Sequence, residues 1–293
     1  MRRSGALPSA LPAACTVAMT RIAVGLEYEG TRYAGWQSQP SAATVQGLAE
    51  RALAKVADEA VSLVCAGRTD AGVHGRGQVA HFDTAARRSM RAWMLGANSE
   101  LPRDISIAWV RPVPPHFHAR YSAEARTYRY IIFNRASRSG LLSSRATWVH
   151  RPLDEQRMAQ AAAVLEGEHD FSAFRAAECQ AKSPVRRMER LSVERQGDWL
   201  AIEATANAFL HHMVRNIAGL LIRIGKGDAP ASWAAEVLDA RDRRRAAATA
   251  PAAGLYLWQV RYPDGFGIPP PASWARLSEA ALPCDKMSSG VPP

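Results

Sequence analysis

The order of its hydrophobic periods constrains this chain more tightly than any single residue does. Residues 22–28, IAVGLEY, read as a strand. TVQGLAERALAKVA (44–57) switches to helical spacing, with Val45, Leu48, Ala52, Leu53 and Val56 on one stripe and Thr44 placed to cap it. VSLVCAG and QVAHFDT read as strands flanking a glycine-rich loop, SMRAWMLGANSEL as a helix and DISIAWVR (104–111) as a strand. That succession is β-α-β-β-α-β. A second, looser round follows. TYRYIIFN (127–134) is a strand, and DEQRMAQAAAVLEG (154–167) is a helix capped by Asp154 and closed by Gly167. LSVERQGDWLAIEATA is a hairpin turning at Gln196, Gly197 and Asp198; FLHHMVRNIAGLLIRIG and SWAAEVLDA are helices, and GLYLWQVRY is a final strand. The two rounds share no residue-level identity, so the repeat is one of architecture. The expected fold class is α+β: two ferredoxin-like βαββαβ halves whose antiparallel sheets join edge to edge, with helices on one face and an open basic cleft on the other.

At 293 residues and 47% hydrophobic content, the chain is long enough to bury a sizeable core. The halves are expected at 19–115, which carries the glycine-rich loop, and at 116–262. Residues 1–18, MRRSGALPSALPAACTVA, have two arginines followed by small and apolar residues broken by prolines. They are expected to stand outside the fold, as a disordered leader or as a start placed ahead of Met19. Residues 263–293 are proline-rich and expected to form a flexible tail. No apolar run reaches the roughly 18 residues that a membrane helix needs. Cys15, Cys65, Cys179 and Cys284 lie far apart and form no CxxC pair, which argues against a zinc site or a disulfide framework and for a reducing cytoplasm.

The loop itself, CAGRTDAGVHGRGQVAHFDT (65–84), holds more ionisable groups than a turn requires. Gly67, Gly72, Gly75 and Gly77 allow a tight turn and close approach to a ligand. Within it, Asp70 is either a reactive carboxylate kept ionised by a nearby cation, Arg68 being one candidate, or a residue that caps its own turn. His74, His81 and Asp83 offer a rival reading as metal ligands near Asp70, although their spacing does not assure convergence, and a metal-dependent nuclease using Asp70, His74 and Asp83 is a further expectation. His211 and His212 lack the glutamate of an HExxH site and are assigned to packing or to a phosphate contact. No GxSxG elbow and no P-loop is present. In the helix that carries the two histidines, Met213, Ile217, Leu220, Leu221 and Ile224 form the core stripe and Arg215 projects elsewhere, as either a surface arginine or a partner for a carboxylate across a cleft. Tyr128 and Tyr130 alternate on a strand beside arginines, an arrangement that suits base stacking for one and cross-strand packing for the other.

Net charge is +10. Between Arg103 and Arg151 nine arginines face only Asp104 and Glu124, a single-sign run that points to a polyanionic partner such as nucleic acid.

Six blocks then carry a resemblance: EYEGTRYAGWQSQP with TVQ, CAGRTDAGVHGRGQVAHF, FHARYSAEARTYRYIIFN, DFSAFRA and NAFLHHMVRNIAG occur in the order seen in the bacterial tRNA pseudouridine synthase A family. The similarity runs from about Met19 to about Tyr262, with no departure at the positions that matter. The resemblance implies an isomerase that converts uridine to pseudouridine at positions 38, 39 and 40 of the tRNA anticodon stem-loop, with no cofactor and no metal. By the same resemblance Asp70 is the catalytic carboxylate, Arg215 pairs with it, Tyr128 stacks on the target base and Arg68 enters the space the flipped base leaves. Phe117, His118, Ala119, Arg120 and Tyr121 correspond to one tRNA-contacting stretch, and Glu178, Cys179, Gln180, Ala181 and Lys182 to another. Family members are homodimers that hold one tRNA across both subunits. Whether the carboxylate attacks C6 of the base or acts at the ribose through a glycal-type intermediate stays open. The competing expectation is an RNA-binding protein of the same fold without catalysis.

Overall fold

A computed structural model describes residues 19–270. The expectations for residues 1–18 and for the tail beyond 270 lie outside the described residues. Ten strands form one sheet: Thr20–Tyr28 (β1), Val64–Cys65 (β2), His74–Thr84 (β3), Ile105–Pro112 (β4), Ala125–Asn134 (β5), Thr147–Val149 (β6), Gly167–Asp170 (β7), Val185–Gln196 (β8), Trp199–Ala206 (β9) and Leu255–Arg261 (β10). Five helices accompany them: Val45–Ala57 (α1), Met90–Glu100 (α2), Glu155–Ala163 (α3), Met213–Gly225 (α4) and Trp233–Ala240 (α5). The sheet runs β4-β1-β3-β10-β5-β9-β8-β7, with β2 beside β3 and β6 beside β5. Along this path all pairings are antiparallel except β10 with β3, where Tyr256 and Leu257 register with His74 and Gly75. The fold is thus mixed α+β on a large, mostly antiparallel sheet.

Local signals explain most of the elements. Thr44 and Ser89 accept hydrogen bonds from Gly47 N and Ala92 N, capping α1 and α2, and Asp154 accepts from Gln156 N and Arg157 N at the start of α3; such caps contribute about 1 kcal/mol each. Gly197, at φ +58°, turns the β8–β9 hairpin where the sequence predicts it. Other boundaries differ. Gly167 does not close α3, which ends at Ala163; at φ +103° it opens β7 instead. Helix α4 begins at Met213, because His212 adopts a left-handed backbone (φ 61°) that interrupts the apolar run. The stripe of α1 is rotated: Gln46 and Ala49 are buried while Leu48 and Val56 are half-exposed. Gln46 fills that inner face by accepting from Ser38 N and donating to Leu63 O. On α4 the predicted stripe of Met213, Ile217, Leu220, Leu221 and Ile224 is buried as a whole.

Two cores result. Under α1 and α2 lie Ile22, Val24, Leu26, Leu53, Phe82 and Trp93; under α3, α4 and α5 lie Tyr130, Ile132, Leu200, Ile202, Ile217 and Leu221. Packing continues past the boundary drawn at residue 262. Asp264–Phe266 forms a 3-10 turn, and the Phe266 ring stands 5.1 Å from that of Phe117.

Candidate active site

Asp70 sits on a loop that its neighbours grip from several directions. Trp36 N donates to Thr69 O at 3.0 Å, the Tyr28 and Thr69 hydroxyls bond at 2.8 Å, and Val73 N closes onto Asp70 O at 3.1 Å. Gly72, at φ +76°, supplies the left-handed residue that this turn requires. Gln78 ties the preceding residue pair down by donating to Gly67 O at 2.7 Å. The Asp70 side chain is left about one-quarter exposed, at 24%, so its carboxylate is held yet reachable.

From the other end of the chain, α4 delivers Arg215, whose Nη1 donates to Asp70 Oδ2 at 3.3 Å. Arg215 is itself clasped by residue 250: its Nε donates to Ala250 O at 2.9 Å and its carbonyl accepts from Ala250 N at 3.1 Å. One turn later, Gly219 leaves room for that segment, since a Cβ there would lie 2.0 Å from Ala248 O. Two further groups meet the carboxylate. His211 Nε2 stands 3.3 Å from Oδ1, and His212 Nε2 stands 3.3 Å from Oδ2. The left-handed turn at His212 brings the two imidazoles side by side, with ring centroids 4.0 Å apart. Burial holds His212 below the ordinary histidine value, with the Asp70 charge pulling the other way.

These groups open onto a cavity of about 860 Å³ lined by Trp36 and Gln46 on one side, Met213 and Val214 on the other and Tyr128 in between. It therefore lies on a side of the sheet where helices pack, with α1 and α4 both contributing to its lining, whereas the sequence predicts a cleft on a helix-free face. The reason is strand parity: Tyr128, like Tyr130 and Ile132, faces the side of β5 on which α4 packs. Tyr128 is buried, edge-on to Phe209 with centroids 5.0 Å apart, and its phenol is held protonated by burial and by the Asp70 charge. Tyr130 takes the packing role: its hydroxyl meets Thr147 Oγ1 at 2.6 Å and donates to Pro251 O at 2.9 Å.

Cations surround the opening. Arg68, Arg120, Arg126 and Arg186 line the cavity against the carboxylates of Asp70 and Glu178. Arg68 is exposed, and the cation on Asp70 is Arg215. Arg126, which sequence reasoning missed, is buried and joins three segments by donating to Ala66 O at 3.1 Å, Ala123 O at 3.2 Å and Asn207 O at 2.9 Å. Its position two residues before Tyr128, on the same face of β5, was the available signal. The long arginine run does not act as a block: Arg129 is paired with Glu203, and Arg151 with Asp228 at 3.0 Å.

The two predicted contact stretches divide. Glu178, Cys179, Gln180 and Ala181 line the cavity, while Lys182 is exposed beyond it. Arg175 holds this loop by donating to Ala181 O at 3.0 Å, and the loop holds the histidines through Ala176 N to His211 O at 3.1 Å. In the other stretch Phe117 and Ala119 are fully buried and do not line the cavity. Arg120 and Tyr121 are exposed, and His118 braces them by accepting from both backbone N–H groups and stacking on the Tyr121 ring at 4.3 Å.

His74, His81 and Asp83 do not converge. His74 Nδ1 accepts from Gly30 N, His81 Nδ1 accepts from Ala119 N, and Asp83 pairs with Arg21. His211 and His212 depart from their predicted roles too, since both face the Asp70 carboxylate. Among the described residues no helix is long and apolar enough to cross a membrane.

Comparison with known proteins follows this geometry. A family model described as tRNA pseudouridine synthase matches residues 26–122 and 161–263. The tRNA pseudouridine synthase A of Alcanivorax borkumensis is 55% identical over 252 residues, covering 86% of this chain and 94% of the relative. That of Pseudomonas aeruginosa is 53% identical over 264 residues, covering 90% and 93%, and that of Methylococcus capsulatus is 56% identical over 248 residues, covering 85% and 92%.

Proposed function

This chain belongs to the tRNA pseudouridine synthase family, and on that premise we propose that it isomerises uridine to pseudouridine at positions 38, 39 and 40 of the tRNA anticodon stem-loop. The observation that carries the reading is the meeting of Asp70 and Arg215, from distant parts of the chain, at the wall of a cavity that also holds Tyr128. The reaction breaks an N-glycosidic bond and rejoins the same uracil through carbon, so a carboxylate must stand at the junction of sugar and base. Asp70 is that group, and Arg215 keeps it charged and aimed. Tyr128 stacks on the uracil.

Reaching the base requires flipping it out of its stack at a cost of a few kcal/mol, least near a loop. Stacking on Tyr128 offsets about 1–3 kcal/mol of that. Arg68 fills the space left behind, and the cations at the opening, with Tyr121 and the 178–182 loop, hold the backbone. A detached uracil must not escape before it turns over, and the walls of the cavity around Asp70 and Tyr128 favour its retention. The strand orders β4-β1-β3-β2 and β10-β5-β9-β8 support a division into two ferredoxin-like halves, 19–115 and 116–262, with a basic cleft between them. By family resemblance the enzyme is a homodimer, works in the cytoplasm and needs no cofactor.

The test is pseudouridine formation in unmodified tRNA carrying uridines at positions 38, 39 and 40, with EDTA present. Wild type is expected to give product and Asp70→Ala none, with tRNA affinity kept within a few-fold. Tight tRNA binding without product from wild type would favour the non-catalytic reading.

A further inference from the structure

We propose that Asp70, His211 and His212 form a binding site for a divalent transition ion of the zinc class, and that the ion inhibits the enzyme. One carboxylate oxygen and two imidazole nitrogens lie within 4.8 Å of one another. Both Nε2 atoms stand 3.3 Å from the carboxylate, long for an N–H···O hydrogen bond. An ion with bonds of about 2.0–2.2 Å to nitrogen and oxygen, in tetrahedral geometry, separates its ligands by roughly that same distance. Each imidazole already stands at that spacing from its own carboxylate oxygen, a modest side-chain adjustment brings one oxygen and both nitrogens onto a single ion, and the cavity leaves room for water or an anion in the fourth position.

The donor set selects the ion. Two imidazoles and a carboxylate suit Zn²⁺ or Co²⁺, whereas Mg²⁺ and Ca²⁺ prefer oxygen ligands. Glu178, whose negative charge acts on His212, adds to the attraction. Arg215 opposes it. Its Nη1 shares Oδ2 with His212, so an ion must displace that contact, and the site competes with the resting Asp70–Arg215 pair. An ion held there occupies the carboxylate and excludes the uracil. Ion binding stands on the geometry alone, while inhibition rests on the role proposed for Asp70.

The experiment titrates chelator-treated full-length protein with Co²⁺ and follows the visible absorption that four- or five-coordinate cobalt gains over its aqua ion. Zn²⁺ is then used to displace it. One ion per chain is expected, with affinity reduced at least about tenfold in Asp70→Asn, His211→Gln and His212→Gln, each checked for folding by thermal melting. Absence of the band, or equal binding by folded variants, overturns the site. Should a variant fail to fold, an anomalous-scattering peak from Zn²⁺ among the three side chains of a wild-type crystal supports the site, and its absence at saturating ion overturns it. Zn²⁺ is also expected to inhibit pseudouridine formation competitively with tRNA and EDTA to reverse this. Ion binding without inhibition would keep the site and refute the role of Asp70; full activity with no ion binding would do the reverse.

Discussion

Asp70 receives a cation on one oxygen and an imidazole on each, all from α4 and the turn before it. A carboxylate restrained in this way reaches the reacting atoms with little reorganisation, because its partners are fixed by the fold rather than gathered by the substrate. Tyr128 lies in the same cavity with its phenol held neutral, and in the proposed reaction it passes a proton as well as stacking. Tyr128→Phe is expected to preserve tRNA affinity and lower turnover by roughly a hundredfold, the usual scale of lost proton transfer; single-turnover rates on tRNA check this, and an unchanged rate would confine the residue to stacking. Much of this was legible in the sequence at residue level. The density of charge and glycine around Asp70 marks the loop, and the position of Arg215 off its helix stripe leaves it free for a partner. The histidines were not legible, because a left-handed backbone at His212 turns its ring toward Asp70, and no spacing rule anticipates a non-glycine residue there.

Helix α4 carries Arg215 only as precisely as the 247–250 segment allows. Gly219→Ala would drive a methyl into Ala248 O, and backbone cannot retreat as a flexible side chain can. We expect a loss of about 1–3 kcal/mol in stability, seen as a lower melting temperature, and weaker activity as Ala250 moves off Arg215. Strand β3 is linked to the 117–121 segment through His81, whose ring burial pushes down to about 4, with Arg21 and His118 adding repulsion. The sign follows from comparing states: the unfolded chain takes up this proton near pH 6.5, the folded one only near 4. Stability is therefore complete above about pH 6.5 and falls as pH drops toward 4, by up to about 1.4 kcal/mol per pH unit. Melting temperature against pH is expected to decline more steeply for wild type than for His81→Gln, whose amide oxygen still accepts from Ala119 N. At this scale caps and long periods were readable from sequence. The short strands β6 and β7 were not, having too few residues to show a period, and the rotation of α1 depends on a glutamine whose hydrogen bonds make it a core residue.

Charge acts over the whole molecule. With a net +10 and arginines at the cavity mouth, tRNA binding is expected to weaken steeply with salt. A footprint of about six phosphates loses roughly a thousandfold in affinity between ~50 and ~200 mM salt. Anisotropy of labelled tRNA across that range measures it, and a flat response would remove phosphate neutralisation as the main source of affinity. The β-α-β-β-α-β order and an edge-to-edge join of sheets were expected from the sequence, but the strands that meet were not: no local signal says that β10 pairs with β3 as well as β5. That placement has a consequence for synthesis. As the nascent chain emerges, β1 to β4 and β5 to β9 can each assemble, yet the strand that joins them arrives only with Leu255–Arg261. Until then the parts of β3 and β5 that β2 and β6 do not cover present open edges, and no continuous sheet joins the strands beside Asp70 to those beside Arg215. A product truncated ahead of β10 would keep many of the arginines proposed to hold RNA but would lack the Asp70–Arg215 pair, and its bare edges would expose it to aggregation and proteolysis. Formation of the Asp70–Arg215 pair is thereby tied to translation through β10.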